Sequence, residues 1–203
     1  MTTMATAIAT PAPEKAPDEG EITRRRITSA EFEEMFRAGV FQECDHIELL
    51  DGELYEMAPA GDWHNAGVNA LNHTLATSLG SSGIVQSQGS MRVTDTSQPE
   101  PDVVVFRFRP DFYRDGGAGP DDTLLLVEVS DTTIRYDRDV KLPLYARAGL
   151  PEVWIVTREP AAIEVHRLPR DGVYTEKKLY LRGDTVSPAD LPGVTVNVTD
   201  VTG

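Results

Sequence analysis

The chain has 203 residues, 40% hydrophobic and 26% charged, enough for one compact domain with a real core. No apolar run approaches the length of about 18 residues that a membrane-spanning helix needs. The net charge of −14 and the pI near 4.6 weigh against a broad polyanion-binding surface, but not against an enzyme whose local field differs from the total. A single cysteine, Cys44, excludes an internal disulfide and any CxxC zinc site. With no long apolar leader at the N-terminus, these features predict a cytoplasmic protein without a membrane partner.

Residues 1–22 are rich in Ala, Thr, Pro and Glu without periodicity and are expected to form a disordered tail, leaving one domain over 23–203. Arg24-Arg25-Arg26 reads as a solvated charge run, with a phosphate contact as the alternative. Thr28-Ser29-Ala30-Glu31 has the form of a capping box, and Phe32, Met35 and Phe36 then space as a short amphipathic helix stopping near Gly39. His46 to Met57 predicts a hairpin turned at Asp51-Gly52. Trp63, Val68, Leu71, Leu75 and Leu79 form a helical stripe over 62–79 that Gly80 ends.

Strands are expected over 84–93 and 102–108, followed by a Gly/Pro/Asp-rich loop over 109–122 and a strand over 123–130. A helix over 137–148 is stopped by Gly149 and Pro151, and strands over 152–157, 162–168 and 173–181 complete the order. There is no internal repeat. Helix, hairpin, helix, strands, helix, strands predicts a mixed α/β (α+β) fold: a mixed β-sheet flanked by helices, with an added N-terminal helix and hairpin.

Two acids stand out because they interrupt apolar strands. Glu128 lies within Thr123-Leu124-Leu125-Leu126-Val127-Glu128-Val129-Ser130, and Asp102 opens Pro101-Asp102-Val103-Val104-Val105-Phe106. A buried carboxylate is costly unless something pairs with it. If these strands pair antiparallel with Phe108 facing Asp122, paired numbers sum to 230 and Asp102 falls opposite Glu128, with Cβ atoms about 5 Å apart. At that separation two carboxylates repel unless a cation lies between them. A register error of one would put them on opposite faces. Taken singly, Asp102 could cap a strand end and Glu128 could pair with a core Arg or Lys; together they suggest a divalent cation. Lys141 follows Asp137 by four residues, the spacing of a surface ion pair. It also shares a helix face with Tyr145 and Ala148, so a helix folded onto the sheet could bring its ammonium beside Glu128.

Pro101-Asp102, Glu128-Val129-Ser130, Tyr136-Asp137-Arg138, Lys141, Tyr145 and the Gly149-Leu150-Pro151-Glu152-Val153-Trp154-Ile155-Val156 ending resemble the Uma family. This is a group of bacterial restriction-endonuclease-like proteins within the PD-(D/E)XK nuclease superfamily. The resemblance covers roughly residues 28 to 170. It implies a restriction-endonuclease-like core, Mg²⁺ (or Mn²⁺) held by Asp102, Glu128 and the Val129 carbonyl, and a nucleic-acid phosphodiester, DNA first, as substrate. The superfamily pattern places Lys two residues after the Glu, where this chain has Ser130; Lys141 on the helix takes that role. The resemblance also suggests Glu48 as a third acid on an early element, with a solvated hairpin edge as the alternative. A homodimer formed through the strands after 152 is possible.

The remaining candidates carry less. Glu100, adjacent to the site, is read as solvated, and Gln88 as a core-edge hydrogen-bonding residue with orientation of a phosphate as the alternative. Of His46, His64, His73 and His166, the pair His64 and His73 lies on opposite faces of one helix, and His64 at the helix start is read as a capping or surface residue, with a place lining the site as the alternative. Ser130 has no evident base partner, and Trp63 and Trp154 read as packing aromatics. No GxSxG, P-loop, dinucleotide or HExxH pattern occurs. A silent binding or dimerisation module, or a hydrolase of a small phosphoester, remain the alternatives.

Overall fold

The computed structural model describes residues 22–42 and 45–203, so the expected tail falls, apart from Ile22, outside the described residues. The N-terminal signals act locally, as their chemistry dictates. Thr28 caps α1 (Ser29–Arg37) through a reciprocal box with Glu31. Strands β1 (Ile47–Leu50) and β2 (Glu53–Glu56) pair antiparallel around Asp51-Gly52. Both turn residues have positive φ, 49° and 80°, as a two-residue hairpin requires. Helix α2 (Asp62–Leu79) buries Val68, Leu71, Leu75 and Leu79, each stabilising by about 1.5–3 kcal/mol.

The centre is a six-stranded mixed sheet in the order β3 (Gly83–Ser87), β4 (Val103–Arg107), β5 (Thr123–Ser130), β6 (Glu152–Thr157), β7 (Ala162–Arg170) and β8 (Val173–Leu181). Only β5 and β6 run parallel. A parallel step needs a crossover, supplied here by one helical segment: α3 (Ile134–Tyr136), a π-turn (Asp137–Lys141) and α4 (Leu142–Arg147). All of β5 is buried because both faces are covered, which explains its nearly unbroken apolar run. Val127 and Val129 pack against α2 and α5 (Val198–Thr202), while Leu126 packs with Leu144, Tyr145 and Leu50 on the other face.

Several boundaries differ from expectation. The strand over 84–93 stops at Ser87, because Gln88 turns into left-handed backbone (φ 49°). The helix over 137–148 starts earlier, at Ile134, and contains the π-turn. Two short strands, β9 (Thr185–Val186) and β10 (Val196–Asn197), pair near the C-terminus without any forecast. The expected register holds where it matters: Val103 pairs with Val127, Val104 with Leu126 and Val105 with Leu125. A bulge after Val105 then pairs Phe106 with Thr123, so the assumed Phe108–Asp122 anchor is wrong although the sum of 230 is right at the Asp102 end.

Candidate active site

Asp102 immediately precedes the first β4–β5 pair, Val103–Val127, so the same register extended by one residue sets it opposite Glu128. Its carboxylate is fixed on both oxygens. Oδ2 accepts the Val129 backbone N–H at 2.7 Å, and Oδ1 lies 2.9 Å from Nε2 of His64. His64 sits in the first turn of α2, aimed at the sheet end, and the bond to Asp102 raises its pKa above the ordinary imidazole value. His64 therefore belongs to the site and is not the capping or surface residue expected of it. Val129 contributes its N–H to Asp102.

Glu128 lies under the helical crossover. Its Oε1 accepts the Tyr145 hydroxyl at 2.6 Å and lies 3.2 Å from the Lys141 ammonium. Among the described residues no donor reaches Oε2. Burial pushes the Glu128 carboxyl well above the usual carboxylate range; Lys141 opposes this and Asp102 adds to it. Burial also disfavours the Lys141 ammonium, but Glu128 and Glu48 overcome it and hold the amine firmly charged.

Lys141 also meets Glu48 at 2.8 Å, with both side chains nearly excluded from water. Lys141 and Asp137 are thus not a surface pair. Both are buried, and Asp137 accepts hydroxyl hydrogen bonds from Ser130 (2.6 Å) and Thr133 (2.7 Å). Nor is Glu48 on a solvated hairpin edge: it is 2% exposed and accepts from Tyr136 Oη and the Glu100 backbone N–H, each at 2.8 Å. Glu100 stands at the rim, with burial raising its carboxyl. Exposed Gln88 donates its backbone N–H to the Asp102 carbonyl at 3.0 Å. Arg24 and Arg25 pair with Glu53 and Glu31 at the surface, as a solvated run would. Trp154 is buried in the core, and partly buried Trp63 donates to the Thr202 carbonyl at 3.0 Å.

Glu48 and Glu128 both meet the Lys141 ammonium, and Asp102 and Asp137 lie near enough to raise the Glu128 carboxyl, so acids outnumber the one ammonium around Glu128. That excess is what a cation relieves. Among the described residues no three ligating side chains converge to enclose an ion by themselves. The donor set suits a hard, partly hydrated ion such as Mg²⁺, which typically takes one or two carboxylates and fills the rest with water or substrate oxygen.

Sequence reasoning ranked a place in the site second for His64 and gave Tyr136 and Tyr145 no role of their own. The signal available for His64 was its position in the first turn of a helix following the hairpin, which does not say where that helix points.

A family model for Uma2, described as "Putative restriction endonuclease", matches residues 30–199. No curated protein matches the chain. The structure is similar to the crystal structure of a protein described as a putative nuclease belonging to DUF820 from Anabaena variabilis ATCC 29413. The TM-score is 0.67 and the identity 13%, covering 87% of this chain and 97% of that one; at this identity the likeness concerns fold. No helix among the described residues is long and apolar enough to cross a membrane. The match runs from α1 through the hairpin, both acidic strands and the crossover to α5, and by it the chain belongs to the Uma2 family of restriction-endonuclease-like proteins.

Proposed function

We propose that the protein is a divalent-cation-dependent endonuclease that hydrolyses nucleic-acid phosphodiester bonds, with DNA as the substrate to test first. The observation that carries this is the Lys141 ammonium 3.2 Å from Glu128, on the strand whose next residue holds Asp102 by its N–H. Asp102 and Glu128 would hold Mg²⁺ or Mn²⁺, with the Val129 carbonyl as a third oxygen. When bound, such an ion polarises a phosphate oxygen and makes water a better nucleophile.

The chain's own groups do the positioning. His64 and the Val129 N–H keep the Asp102 carboxylate aimed, and Tyr145 keeps Glu128 from rotating. Lys141 supplies a fixed positive charge where negative charge develops on the phosphate, and a proton donor beside it. The edge strand β8 is where a homodimer would pair.

The rival is a cation-binding module without catalysis, favoured by the net charge of −14. Calorimetry with Mg²⁺ and Mn²⁺, paired with nicking of supercoiled plasmid, separates the two. Wild type should bind a cation and nick; Asp102→Ala/Glu128→Ala should do neither; Lys141→Ala should bind and nick only at a small residual rate. Binding by wild type with no cleavage of plasmid, RNA or a generic phosphodiester would leave the module. Undiminished cation binding by the double variant would remove the assigned site, and full nicking by Lys141→Ala would remove the lysine's role.

A further inference from the structure

The acids at the site are not equivalent in what they have left to give. Among the described residues no donor reaches one Glu128 oxygen, and each Asp102 oxygen takes a single contact. Glu48 is saturated. Its Oε1 takes the Lys141 ammonium and the Glu100 N–H, and its Oε2 takes the Tyr136 hydroxyl, all at 2.8 Å. These donors come from the crossover and from the segment ahead of β4.

Lys141 needs such a holder. It reaches the site from a helix, on a four-carbon stem with many rotamers, and freezing it costs conformational entropy. Glu48 is nearer to the ammonium (2.8 Å) than Glu128 is (3.2 Å). The hairpin that carries Glu48 is itself pinned beside β4, since Leu49 exchanges backbone hydrogen bonds with Gln98 at 3.4 and 2.6 Å. Tyr136, one turn ahead of Lys141, closes the bracket from the same helical segment.

We infer that Glu48 is a positioning residue for Lys141, set by the β1–β2 hairpin, and not a third cation ligand; this rests on the function proposed above. The hairpin outside the central sheet thereby serves the chemistry: it anchors a lysine that the crossover delivers.

The test uses the full chain with Glu48→Gln, which keeps the shape and removes the charge, and with Tyr136→Phe, which loosens Glu48 without touching any charge. Cation affinity of Glu48→Gln should stay within about twofold of wild type, while kcat for nicking falls about 10²-fold or more with KM little changed. Glu48→Gln/Lys141→Ala should be no slower than Lys141→Ala, because the two act as one unit. Independently of activity, reductive methylation read by mass spectrometry should leave Lys141 protected in wild type and modify it readily in Glu48→Gln, less so in Tyr136→Phe. A tenfold loss of cation affinity in Glu48→Gln would make Glu48 a ligand. Multiplicative kcat losses, or a Lys141 equally protected in Glu48→Gln, would overturn the anchoring role. If wild type neither binds a cation nor cuts, the proposed function fails, and Lys141 reactivity alone still decides the anchor. Should Glu48→Gln not fold, Tyr136→Phe carries the same comparison.

Discussion

Glu128 and Glu164 are both buried acids on one face of the sheet, linked through Ile155 in register, yet their surroundings drive them apart. Glu128 meets one ammonium and several other acids, so burial and repulsion raise its carboxyl. Burial also pushes Glu164 upward, but hydrogen bonds from His166, Arg138 and Lys177 outweigh it and hold the carboxyl down at about 2, from an ordinary 4.5. Arg138 belongs to the π-turn that carries Lys141, so this ion pair ties the crossover to β7. A depressed carboxyl stabilises the fold fully above its unfolded value and loses that contribution as pH falls through its folded value. The contribution is on the order of 2 kcal/mol at neutral pH, discounted because Arg138 and Lys177 are themselves 40% and 52% exposed. Denaturant unfolding of wild type and Glu164→Gln should therefore show a gap that closes as pH falls from 4.5 towards 2. A gap constant across that window would show that the ion pairs do not stabilise this fold.

At the scale of elements, helix α2 reaches β5 closely because Gly67 has no side chain. A Cβ there would stand 3.1 Å from Val129 Cγ1 and 3.3 Å from the Val201 carbonyl oxygen. Alanine would gain about 1 kcal/mol of helix propensity. It would also push on a core valine and on a backbone oxygen of α5, and such overpacking costs about 1–3 kcal/mol. Gly67→Ala is expected to lower the melting temperature by a few degrees; a rise would mean that the contact relaxes freely. The same element marks the limit of what the sequence could say. Its bounds, the capped α1, the Asp-Gly hairpin and β5 were legible because caps, turns and periodicity are local. The Asp102–Glu128 register was legible because both strands are short and joined by one loop. The bulge after Val105 was not, since Val-Val-Val-Phe against Leu-Leu-Leu gives no mark of where a residue is skipped. The π-turn uses ordinary helical residues, and strands of two residues have no period to read. His64 was misplaced because helix direction relative to the sheet is a tertiary fact.

The whole molecule carries 33 acidic against 19 basic residues, and at the proposed site two acids share one ammonium while two more act on Glu128. Such a surface should repel a phosphate backbone. Two kinds of nucleic-acid binding respond to divalent ions with opposite signs. A protein that binds through lysines and arginines competes with cations for phosphate, so Mg²⁺ weakens it. A protein whose site is an acidic cluster repels the scissile phosphate until a cation fills the cluster, so the ion strengthens binding. Under the function proposed above, charge and site geometry put this chain in the second class. Fluorescence anisotropy of a labelled duplex should show weak binding in EDTA and binding at least about tenfold tighter, or about 1.4 kcal/mol, in Ca²⁺, an oxygen-seeking ion chosen to limit cleavage during the measurement. Asp102→Ala/Glu128→Ala should bind in EDTA at least as well as wild type and lose the gain with Ca²⁺. If wild type instead binds best in EDTA and weakens as Ca²⁺ is added, its nucleic-acid contacts lie on basic side chains elsewhere, and the acidic pair does not meet the phosphate.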